Sequence, residues 1–521
     1  MTHQVVLVGM PASGKSTVGR ILARRLRRPF VDIDDLVARR LGVSVPDFID
    51  ARGERAFRDE ESQAVKEALT VPDAVIATGG GTVLDPINRW SLWENSTVAW
   101  LDVPPDRIVR RLAADPVPRP TFQPYRRETM ARTLAERTFA YRSADVRIDA
   151  SGTPASIARE LAGRVGPRQS GRRLFDADVP RHHPVGPDTT RLVMGVDHLA
   201  DTHLEGFVIA DRRLSTVAPE VLAALSPNPI MLVASGERAK RLRSVERILE
   251  ALSHAGVERG TPLIAVGGGT IGDLVGTAAA LFARGLPLIH VPITWLAQAD
   301  SAIGGKVGVD LGNAKNAAGA FWPPVAIYSE VAALRTLPLS SRRDGMAECI
   351  KTAVIGDPVL WRLLEDRGAA ALRRDEASRY AIIERSARLK LDICRRDPFE
   401  TGERRTLNLG HTIGHALEIE SGYRLKHGAA VVLGMRAVAA ISARRGADPD
   451  LVIRQDDLLG SLGYKLCHRF DEEVVRTAMR GDKKRHGGRQ RWILPMEIGR
   501  VIEVNDVTEA ELSTALQAIR A

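Results

Sequence analysis

The sequence is poor in aromatic residues and cysteine, and it has no long apolar run. Aromatic residues make up 5% of the 521 residues, so the cores must be built mainly from Leu, Val, Ile and Ala. Three cysteines are too few for a disulfide framework and indicate a reducing, cytoplasmic location. We find no run of about 18 apolar residues and no signal peptide, so we expect no membrane partner.

The charge is positive, with 74 Lys and Arg against 64 Asp and Glu and a net charge of +10. Such a balance is compatible with nucleic-acid binding. The arginines, however, are spread along the chain without an RNA-binding signature or interleaved aromatic residues. We therefore expect anionic small-molecule substrates and no nucleic-acid partner.

The length predicts two or three domains. The alternation of strand-like and helical stretches predicts the α/β class. Residues 1–165 have the pattern of a compact α/β unit with a parallel sheet. Residues 166–190, rich in Pro, Gly, Arg and His, have neither helical nor strand periodicity and indicate a linker. Short apolar runs alternate with helical stretches over residues 191–340, which predicts a second parallel sheet with crossover helices. Residues 341–521 have three- and four-residue apolar spacing and should be mostly helical.

A phosphate-binding loop is the clearest motif of the first unit. Residues 9–16 fit G-x-x-x-x-G-K-S between the apolar run VVLV and the helical pattern TVGRILARRL. Its glycines allow backbone N–H groups to surround phosphate oxygens at a helix N-terminus. The pattern predicts ATP and Mg²⁺ as ligands. The candidate nucleotide-binding residues are Gly9, Ala12, Ser13, Gly14, Lys15, Ser16 and Thr17.

Further polar residues follow this loop in order. Asp32 and Asp34 alternate at the end of FVDID, so both are expected on one face of a strand. Arg58 lies in GERAFRDEE, and a glycine run follows the strand-like AVIAT. The set is completed by Gly79, Gly80, Gly81, Arg119 and Arg137.

Over residues 1–165 this set resembles shikimate kinase. The resemblance implies that shikimate is held by Asp34, Arg58, Gly79, Gly80, Gly81 and Arg137. It also implies that Asp34 orients the accepting hydroxyl, that Ser16 and Asp32 serve Mg²⁺, and that Lys15, Arg119 and Arg137 neutralise charge during transfer. The segment after Arg119 reads RPTFQPYRRE and departs from the family pattern, which puts the closure of the lid in question. Another small P-loop kinase, such as a gluconate kinase, is the competing interpretation.

The second unit begins with a glycine-rich turn, VGGGTIGDLVG, at residues 266–276. Such a turn is typical either of dinucleotide pyrophosphate binding or of a tight connection between a strand and a helix. Downstream, Lys306, Lys315 and Asn316 lie among small residues, a pattern that favours an anion site.

A carboxylate and three histidines suggest a metal site further on. Glu348 and Lys351 share a helix face, His411 and His415 lie four residues apart, and His427 follows a short loop. One carboxylate with two imidazoles is a ligand set of catalytic zinc. The H-E-x-x-H pattern is absent because residue 412 is Thr, so the spacing leaves open which histidines bind.

Residues 191–521 resemble 3-dehydroquinate synthase. The resemblance implies that Glu348, His411 and His427 bind Zn²⁺ or Co²⁺, with His415 as a group of the substrate site. Catalytic positions carried over are Lys306, Lys351, Lys390, Arg404, Asn408 and His415. The implied NAD-binding positions are Ser235, Gly236, Glu237, Lys240, Gly269, Thr270, Ile271, Gly272, Asp273, Thr294, Asp300, Lys306, Lys315, Leu334, Arg335 and Thr336. Substrate positions are Arg284, Asn316, Lys483 and Lys484, and Arg284 implies a homodimer because it reaches the neighbouring subunit's site in the family.

The implied reaction converts 3-deoxy-arabino-heptulosonate 7-phosphate into 3-dehydroquinate with loss of phosphate and with NAD regenerated in each turnover. One departure is Ala429, which follows His427-Gly428 where the family commonly has Glu. We expect weaker metal binding from it, because such a carboxylate orients a ligand. Alternatives for this unit are another sugar-phosphate cyclase, a metal-dependent polyol dehydrogenase, or a ligand-binding protein without activity.

Overall fold

The computed structural model describes residues 3–114, 123–167, 171–181, 183, 185–312, 314–480, 485–486 and 489–521. The chain divides into two compact units. The first contains Met1–Ala177 and Leu192–Thr202, and the second contains Asp178–Arg191 and His203–Ala521. Among the described residues, no helix is long and apolar enough to cross a membrane.

A parallel five-stranded sheet in the order β2-β3-β1-β4-β5 forms the centre of the first unit. Its strands are β1 Gln4–Val8, β2 Phe30–Asp32, β3 Val75–Ala77, β4 Ser96–Asp102 and β5 Val146–Asp149. Its helices are α1 Lys15–Leu26, α2 Ile33–Leu41, α3 Val45–Leu69, α4 Pro86–Glu94, α5 Pro105–Ala113, α6 Arg127–Tyr141 and α7 Pro154–Ala162. Every residue of β1 and β3 is buried, as expected for central strands covered on both faces.

Short polar side chains begin several of these helices. Asp32, Ser44, Asp85 and Thr153 each accept a hydrogen bond from a backbone N–H of the following first turn. These bonds satisfy donors that have no partner within the helix. Because the strands are parallel, their carboxyl ends lie at one edge of the sheet, and helices begin there.

The α/β half of the second unit has five parallel strands in the order β14-β11-β10-β8-β9. Strands β6 Arg172–Pro180 and β7 Thr189–Val196 have residues in both units. The other strands are β8 Phe207–Asp211, β9 Ile230–Val233, β10 Leu263–Gly267, β11 Leu288–Pro292, the antiparallel pair β12 Lys306–Leu311 and β13 Ala314–Phe321, and β14 Ala326–Glu330. The helices here are α8 Leu214–Val217, α9 Pro219–Ala223, α10 Leu242–His254 and α11 Gly269–Leu281.

The remainder of the second unit is mainly helical. Its helices are α12 Leu339–Gly356, α13 Pro358–Arg373, α14 Glu376–Arg396, α15 His411–Glu420, α16 His427–Arg444, α17 Leu451–Ser461, α18 Glu472–Arg480 and α19 Glu509–Ala518. Short antiparallel pairs are formed by β15 Arg485–His486 with β16 Arg489–Gln490, and by β17 Trp492–Glu497 with β18 Arg500–Val504. Eleven consecutive residues of α12, Gly345–Ile355, are buried, which makes α12 a central helix of this half.

The predicted α/β class, with one parallel sheet in each unit and a helical C-terminal part, is confirmed. The segment 166–190 differs from expectation, because β6 lies within the predicted linker. Leu174, Phe175 and Asp176 of this strand are buried. The sequence did not reveal the strand, because arginines precede these residues and only a short alternation of apolar and polar residues follows them. The domain boundaries at 165, 190 and 340 stay predictions.

His290, on β11, is a buried group that gives the second unit acid sensitivity. It is 5% exposed, and burial lowers its pKa from 6.5 to about 4. The neutral imidazole is therefore favoured in the folded protein. Above about pH 6.5 the imidazole is neutral in both the folded and the unfolded chain. As the pH falls from 6.5 towards 4, the unfolded chain binds a proton that the folded chain does not, so the free energy of unfolding decreases.

We predict that His290→Gln makes the free energy of unfolding less dependent on pH in this window. Relative to its own value at pH 7, the variant should lose up to about 3 kcal/mol less than the wild type by pH 4. Urea unfolding of both proteins at several pH values measures the difference, and the pH 7 values separate the packing cost of the substitution. Parallel pH profiles would contradict the assignment.

Candidate active sites

The phosphate-binding loop lies between β1 and α1, as its motif predicts. Gly14 precedes α1 with φ 96°, and Gly9 has φ 146°, conformations that favour glycine. A Cβ at Gly9 would also lie 2.7 Å from the Leu101 carbonyl oxygen. Lys15 Nζ donates to the carbonyl oxygens of Gly9 and Met10, both at 2.9 Å. The loop therefore folds around its own lysine ammonium group.

A cavity of about 510 Å³ opens beside this loop. Asp34 and Gly80 line it together with six predicted nucleotide-binding residues, Ala12, Ser13, Gly14, Lys15, Ser16 and Thr17. The cavity is large enough for a small organic phosphate and places a carboxylate near the loop.

The expectation that Asp32 and Asp34 share a strand face is wrong. Asp32 is the last residue of β2 and accepts a hydrogen bond from the Asp34 N–H at 3.1 Å, so the chain turns into α2 at residue 33. Alternation could not reveal this, because an Asp at that position favours a helix start over a longer strand. Asp34 nevertheless faces the glycine turn, since a Cβ at Gly79 would lie 2.7 Å from Asp34 Oδ1.

Two predicted arginines surround the same glycine turn. Arg137 Nη1 donates to the Gly80 carbonyl oxygen at 2.9 Å, and the Tyr141 hydroxyl donates to the same oxygen at 2.8 Å. Arg58 Nη1 lies 3.0 Å from Glu61 and 3.5 Å from the position of a Cβ on Gly81. Asp34, both arginines and the three glycines are thus gathered at one place. Arg119 lies outside the described residues.

Sequence reasoning did not find Arg111 or the segment around Pro154, which also line the cavity. Arg111 Nη1 donates to the Ala12 and Ser13 carbonyl oxygens at 3.2 and 3.1 Å, and its Nη2 donates to Ala150 at 3.1 Å. The first two contacts join residues 99 and 98 positions apart and the third joins residues 39 positions apart, so no local motif indicates them.

Glu348, His411 and His427 form a compact cluster in the second unit. Their candidate ligand atoms all lie within 4.8 Å of one another. Glu348 Oε1 lies 2.9 Å from His427 Nε2 and 3.5 Å from His411 Nε2. Glu348 comes from α12, while the imidazoles stand at the beginnings of α15 and α16. One carboxylate and two imidazoles at this spacing suit a zinc ion with an open coordination position.

Hydrogen bonds orient both imidazoles for this arrangement. His411 Nδ1 donates to the Leu409 carbonyl oxygen at 3.1 Å, which leaves Nε2 facing Glu348. Burial would lower the pKa of His427, but hydrogen bonds to Glu348 and Glu418 outweigh burial and raise the pKa to about 10. His415 lies beside both, with ring centroids 5.2 Å from His411 and 6.1 Å from His427.

A chain of alternating charges continues from this cluster. Lys351 Nζ lies 2.6 Å from Glu348 Oε2 and 3.7 Å from Asp300 Oδ1, and Lys390 Nζ lies 2.9 Å from Asp300 Oδ1. Burial would raise the pKa of Glu348, but Lys351 and His411 hold it well below its usual range. Burial would likewise lower the pKa of Lys351, but Glu348 and Asp300 raise it. Both groups therefore remain charged.

Glu400 organises a second group of predicted residues and was missed by sequence reasoning. Asn408 Nδ2 donates to Glu400 Oε1 at 2.9 Å, and Lys306 forms an ion pair with Glu400. Arg404 is buried and donates from Nη2 to the Gly304 carbonyl oxygen at 2.7 Å. Glu400 has φ 59°, so the loop holds this carboxylate in an uncommon backbone conformation.

The glycine-rich turn joins β10 to α11, whose first residue is Gly269. Lys240 pairs with Asp273, the fifth residue of that helix. A Cβ at Gly268 would lie 3.0 Å from Thr294 Cγ2, and one at Gly269 would lie 2.9 Å from Ser301 Oγ. The turn thus lies at the N-terminus of a helix that, among the described residues, has no side-chain cap, and helix N-termini can bind a pyrophosphate.

Other residues of the predicted nucleotide set have less distinctive contacts. Ser235, Gly236 and Glu237 follow β9, and Leu334–Thr336 belong to a 3₁₀ helix after β14. Leu334 is fully buried, Ile271 is a core residue, and Arg335 Nη2 pairs with Glu376 at 2.9 Å. Their contact with a nucleotide stays a prediction, as does that of Thr270 and Gly272.

The remaining substrate candidates differ in their surroundings. Lys315 Nζ lies 3.5 Å from Glu418 Oε2 and 4.5 Å from the Tyr423 ring centroid, and the Asn316 N–H donates to Asp310 Oδ1 at 2.9 Å. Arg284 is exposed in the 3₁₀ turn that follows α11 and has φ 66°. Lys483 and Lys484 lie outside the described residues.

Glycine contacts bring the two histidine-bearing helices together. A Cβ at Gly434 in α16 would lie 1.9 Å from the Gly410 carbonyl oxygen, directly before α15. A Cβ at Gly414 would lie 3.0 Å from the Ala430 carbonyl oxygen. These approaches involve backbone atoms, which cannot rotate away as side chains do. The spacing of His411 and His427 therefore depends on the absence of side chains at this crossing.

Taken together, the fold and clusters define a two-unit enzyme, with a P-loop phosphotransferase unit followed by a candidate metalloenzyme unit. Residues 11–165 match the family model of shikimate kinase. Residues 230–344 match the N-terminal model of 3-dehydroquinate synthase, and residues 345–485 match its C-terminal model.

Whole relatives show the same similarity. The 3-dehydroquinate synthase of Dictyoglomus thermophilum is 37% identical over 320 residues, which cover 61% of this chain and 90% of that protein. The enzyme of Xanthomonas campestris pv. campestris strain 8004 is 41% identical over 289 residues, or 54% of this chain and 78% of that protein. The chain belongs to the 3-dehydroquinate synthase family and carries a shikimate kinase domain at its N-terminal end.

A solved structure provides a further comparison. It is 2-epi-5-epi-valiolone synthase from Streptomyces hygroscopicus subsp. jinggangensis 5008, with NAD⁺ and Zn²⁺ bound. The two chains are 27% identical with a TM-score of 0.60, and the match covers 65% of this chain and 99% of that one.

We predict that Gly434→Ala weakens binding of a divalent metal by at least about tenfold, because the added methyl group must push α16 away from α15. Competition with a chromophoric chelator measures the Zn²⁺ dissociation constant. Gly460→Ala in α17 is the matched control, since a Cβ there meets nothing within 4 Å. Equal zinc affinity in the two variants would contradict the role of the crossing.

Proposed function

We propose specific roles for the residues of this bifunctional enzyme, which phosphorylates shikimate in its first unit and forms 3-dehydroquinate in its second. The observation that supports the proposal is that central members of the predicted sets lie together. Asp34 and Lys15 line one cavity in the first unit, and Glu348, His411 and His427 cluster in the second.

In the first unit, ATP binds with its phosphates along Gly9–Thr17, and Lys15 turns from the carbonyl oxygens it now contacts to the phosphate oxygens. Ser16 and Asp32 serve Mg²⁺, which when bound offsets the charge of the phosphates. Arg58 and Arg137, beside Gly79–Gly81, recognise the shikimate carboxylate, because a guanidinium group can form two hydrogen bonds to it. Asp34 orients the attacking hydroxyl, and Arg119 and Arg137 neutralise charge.

In the second unit, Glu348, His411 and His427 hold Zn²⁺ or Co²⁺, and the glycine-rich turn with Lys240, Asp273 and Thr294 holds NAD. Support comes from the charged Glu348, from the orientation of the imidazoles and from the helix N-terminus at Gly269, which no described side chain caps. When bound, the metal polarises a hydroxyl group and NAD supplies reversible redox chemistry.

The chain's own residues bind and orient the sugar phosphate in this proposal. Lys306, Lys390, Arg404 and Asn408, with Lys351 and His415, surround the substrate's phosphate, carboxylate and hydroxyl groups. Lys315, Asn316, Lys483 and Lys484 supply further polar contacts. In the structure the two lysines Lys306 and Lys390 pair with Glu400 and Asp300, so an anionic substrate competes with internal carboxylates for them.

We further propose a homodimer in which Arg284 completes the neighbouring subunit's site. The exposed arginine and the adjoining Ala283, with φ 66° and 47°, hold an uncommon backbone conformation in the turn that follows α11. A cytoplasmic location is supported by three free thiols, at Cys349, Cys394 and Cys467.

A different sugar-phosphate cyclase activity is the second candidate for the C-terminal unit, because the solved structure described above is a valiolone-type synthase. The higher identity to curated 3-dehydroquinate synthases favours the first candidate. Turnover of sedoheptulose 7-phosphate in preference to 3-deoxy-arabino-heptulosonate 7-phosphate would reverse this choice.

For the kinase site we predict that Asp34→Asn lowers kcat for shikimate at least about 100-fold, because the carboxylate that orients the hydroxyl is lost. The KM for ATP should change little. Coupled measurement of ADP formation tests both values. Asp35→Asn is the matched control, as this neighbour is 67% exposed and contacts Arg20 instead of the cavity. Retention of more than half the wild-type kcat in Asp34→Asn would refute the role.

For the synthase site we predict that phosphate release by the chelator-stripped protein requires both NAD⁺ and Zn²⁺. His411→Ala should abolish it because one metal ligand is gone, whereas His254→Ala on the exposed end of α10 should not. Shikimate kinase activity of the same preparations serves as an internal control. Release without added metal and NAD⁺, or full activity in His411→Ala, would count against the proposed site.

A further inference from the structure

We propose that Glu418 is a positioning residue for the metal ligand His427, and that it supplies the carboxylate missing at Ala429. This inference rests on the proposed metal site. Glu418 lies in α15, seven residues after His411 and three after His415, and its side chain is only 4% exposed. Glu418 Oε1 lies 3.3 Å from His427 Nδ1.

The direction of this hydrogen bond determines what Glu418 can do. An ionised carboxylate only accepts, so His427 Nδ1 must carry the proton and donate. The opposite ring nitrogen, Nε2, is then the one that faces Glu348 and can bind an ion. Glu418 therefore fixes both the tautomer and the ring orientation of His427, as carboxylates beside metal-bound histidines commonly do.

The two histidine ligands obtain this support in different ways. His411 Nδ1 donates to the backbone carbonyl oxygen of Leu409, two residues before it. His427 is the first residue of α16 and uses a side chain from the neighbouring helix. A carboxylate at position 429 is therefore not required to orient His427, because Glu418 of α15 supplies one. This contact offsets the weaker metal binding expected from Ala429.

Lys315 connects this support to the proposed substrate region. Its Nζ lies 3.5 Å from Glu418 Oε2, the oxygen on the other side of the carboxylate from His427. Lys315, Glu418 and His427 thus form a continuous polar path between strand β13 and the proposed metal cluster.

A competing role for Glu418 is direct metal binding. His415, Glu418 and His427 also have candidate ligand atoms within 4.8 Å of one another. Metal stoichiometry separates the roles, because a positioning residue changes affinity at one site, whereas a ligand of a second ion changes the number bound.

The test measures Zn²⁺ dissociation constants of full-length variants by chelator competition, with stoichiometry from metal analysis. Glu418→Ala should raise the dissociation constant about 10- to 100-fold at an unchanged stoichiometry of one. Glu418→Gln should recover most of the affinity, since its amide oxygen still accepts from His427 Nδ1. Thermal unfolding of the metal-free proteins shows whether the variants remain folded.

Two controls keep the outcomes distinct. Glu420→Ala, in the same helix but bonded to the Asp471 N–H, should bind zinc as the wild type does. Wild-type affinity in Glu418→Ala, or a loss of affinity in Glu418→Gln as large as in Glu418→Ala, overturns the positioning role. A fall from two bound ions to one in Glu418→Ala also overturns it. Wild-type affinity in His411→Ala would instead show that the proposed metal site itself is wrong.

Discussion

The buried carboxylate of Glu348 is the constraint on which the helical half depends. A carboxylate with 1% side-chain exposure would be very costly to bury alone, so positive or hydrogen-bonding groups must surround it. Lys351 provides one, one turn along the same helix, and the imidazoles of His411 and His427 approach from two further helices. The two imidazoles that stabilise this charge are also the groups proposed to bind the metal. The packing of the metal-free chain therefore already favours the proposed arrangement.

Close backbone contacts determine distances in both units. In the helical half, Gly410 and Gly434 allow α15 and α16 to approach, while Gly345 allows α12 to contact the backbone of Leu296. In the kinase unit, Gly79 leaves room for Asp34 and Thr82. Side chains at these glycines would displace backbone or catalytic groups, whereas many surface glycines have open space around them. The glycines provide no functional group themselves. Their role is to let neighbouring backbone segments and side chains come close together.

Local patterns predicted a large part of this structure. The strand, glycine-rich loop and helix around Lys15 follow from the motif, and the three-residue spacing of Glu348 and Lys351 correctly places both on one side of α12. Contacts between distant segments were not predictable in the same way. The roles of Glu400 and Glu418 are apparent only from the structure, where Glu400 pairs with Lys306 and Glu418 contacts His427. The shared strand face expected for Asp32 and Asp34 was wrong because Asp32 both ends β2 and caps α2.

Cations at both candidate sites already have acceptors in the structure. In the kinase unit Arg58 pairs with Glu61 and Arg137 with a carbonyl oxygen, and in the synthase unit Lys390 pairs with Asp300. These acceptors hold the side chains in place and reduce the cost of burying their charge. An anionic substrate then enters sites whose cations already have approximate positions, so less side-chain freedom is lost on binding. The same pairs disfavour neutral ligands, which cannot replace the internal acceptors. Paired cations held in this way suit small anionic substrates, whereas a nucleic acid requires an exposed basic surface.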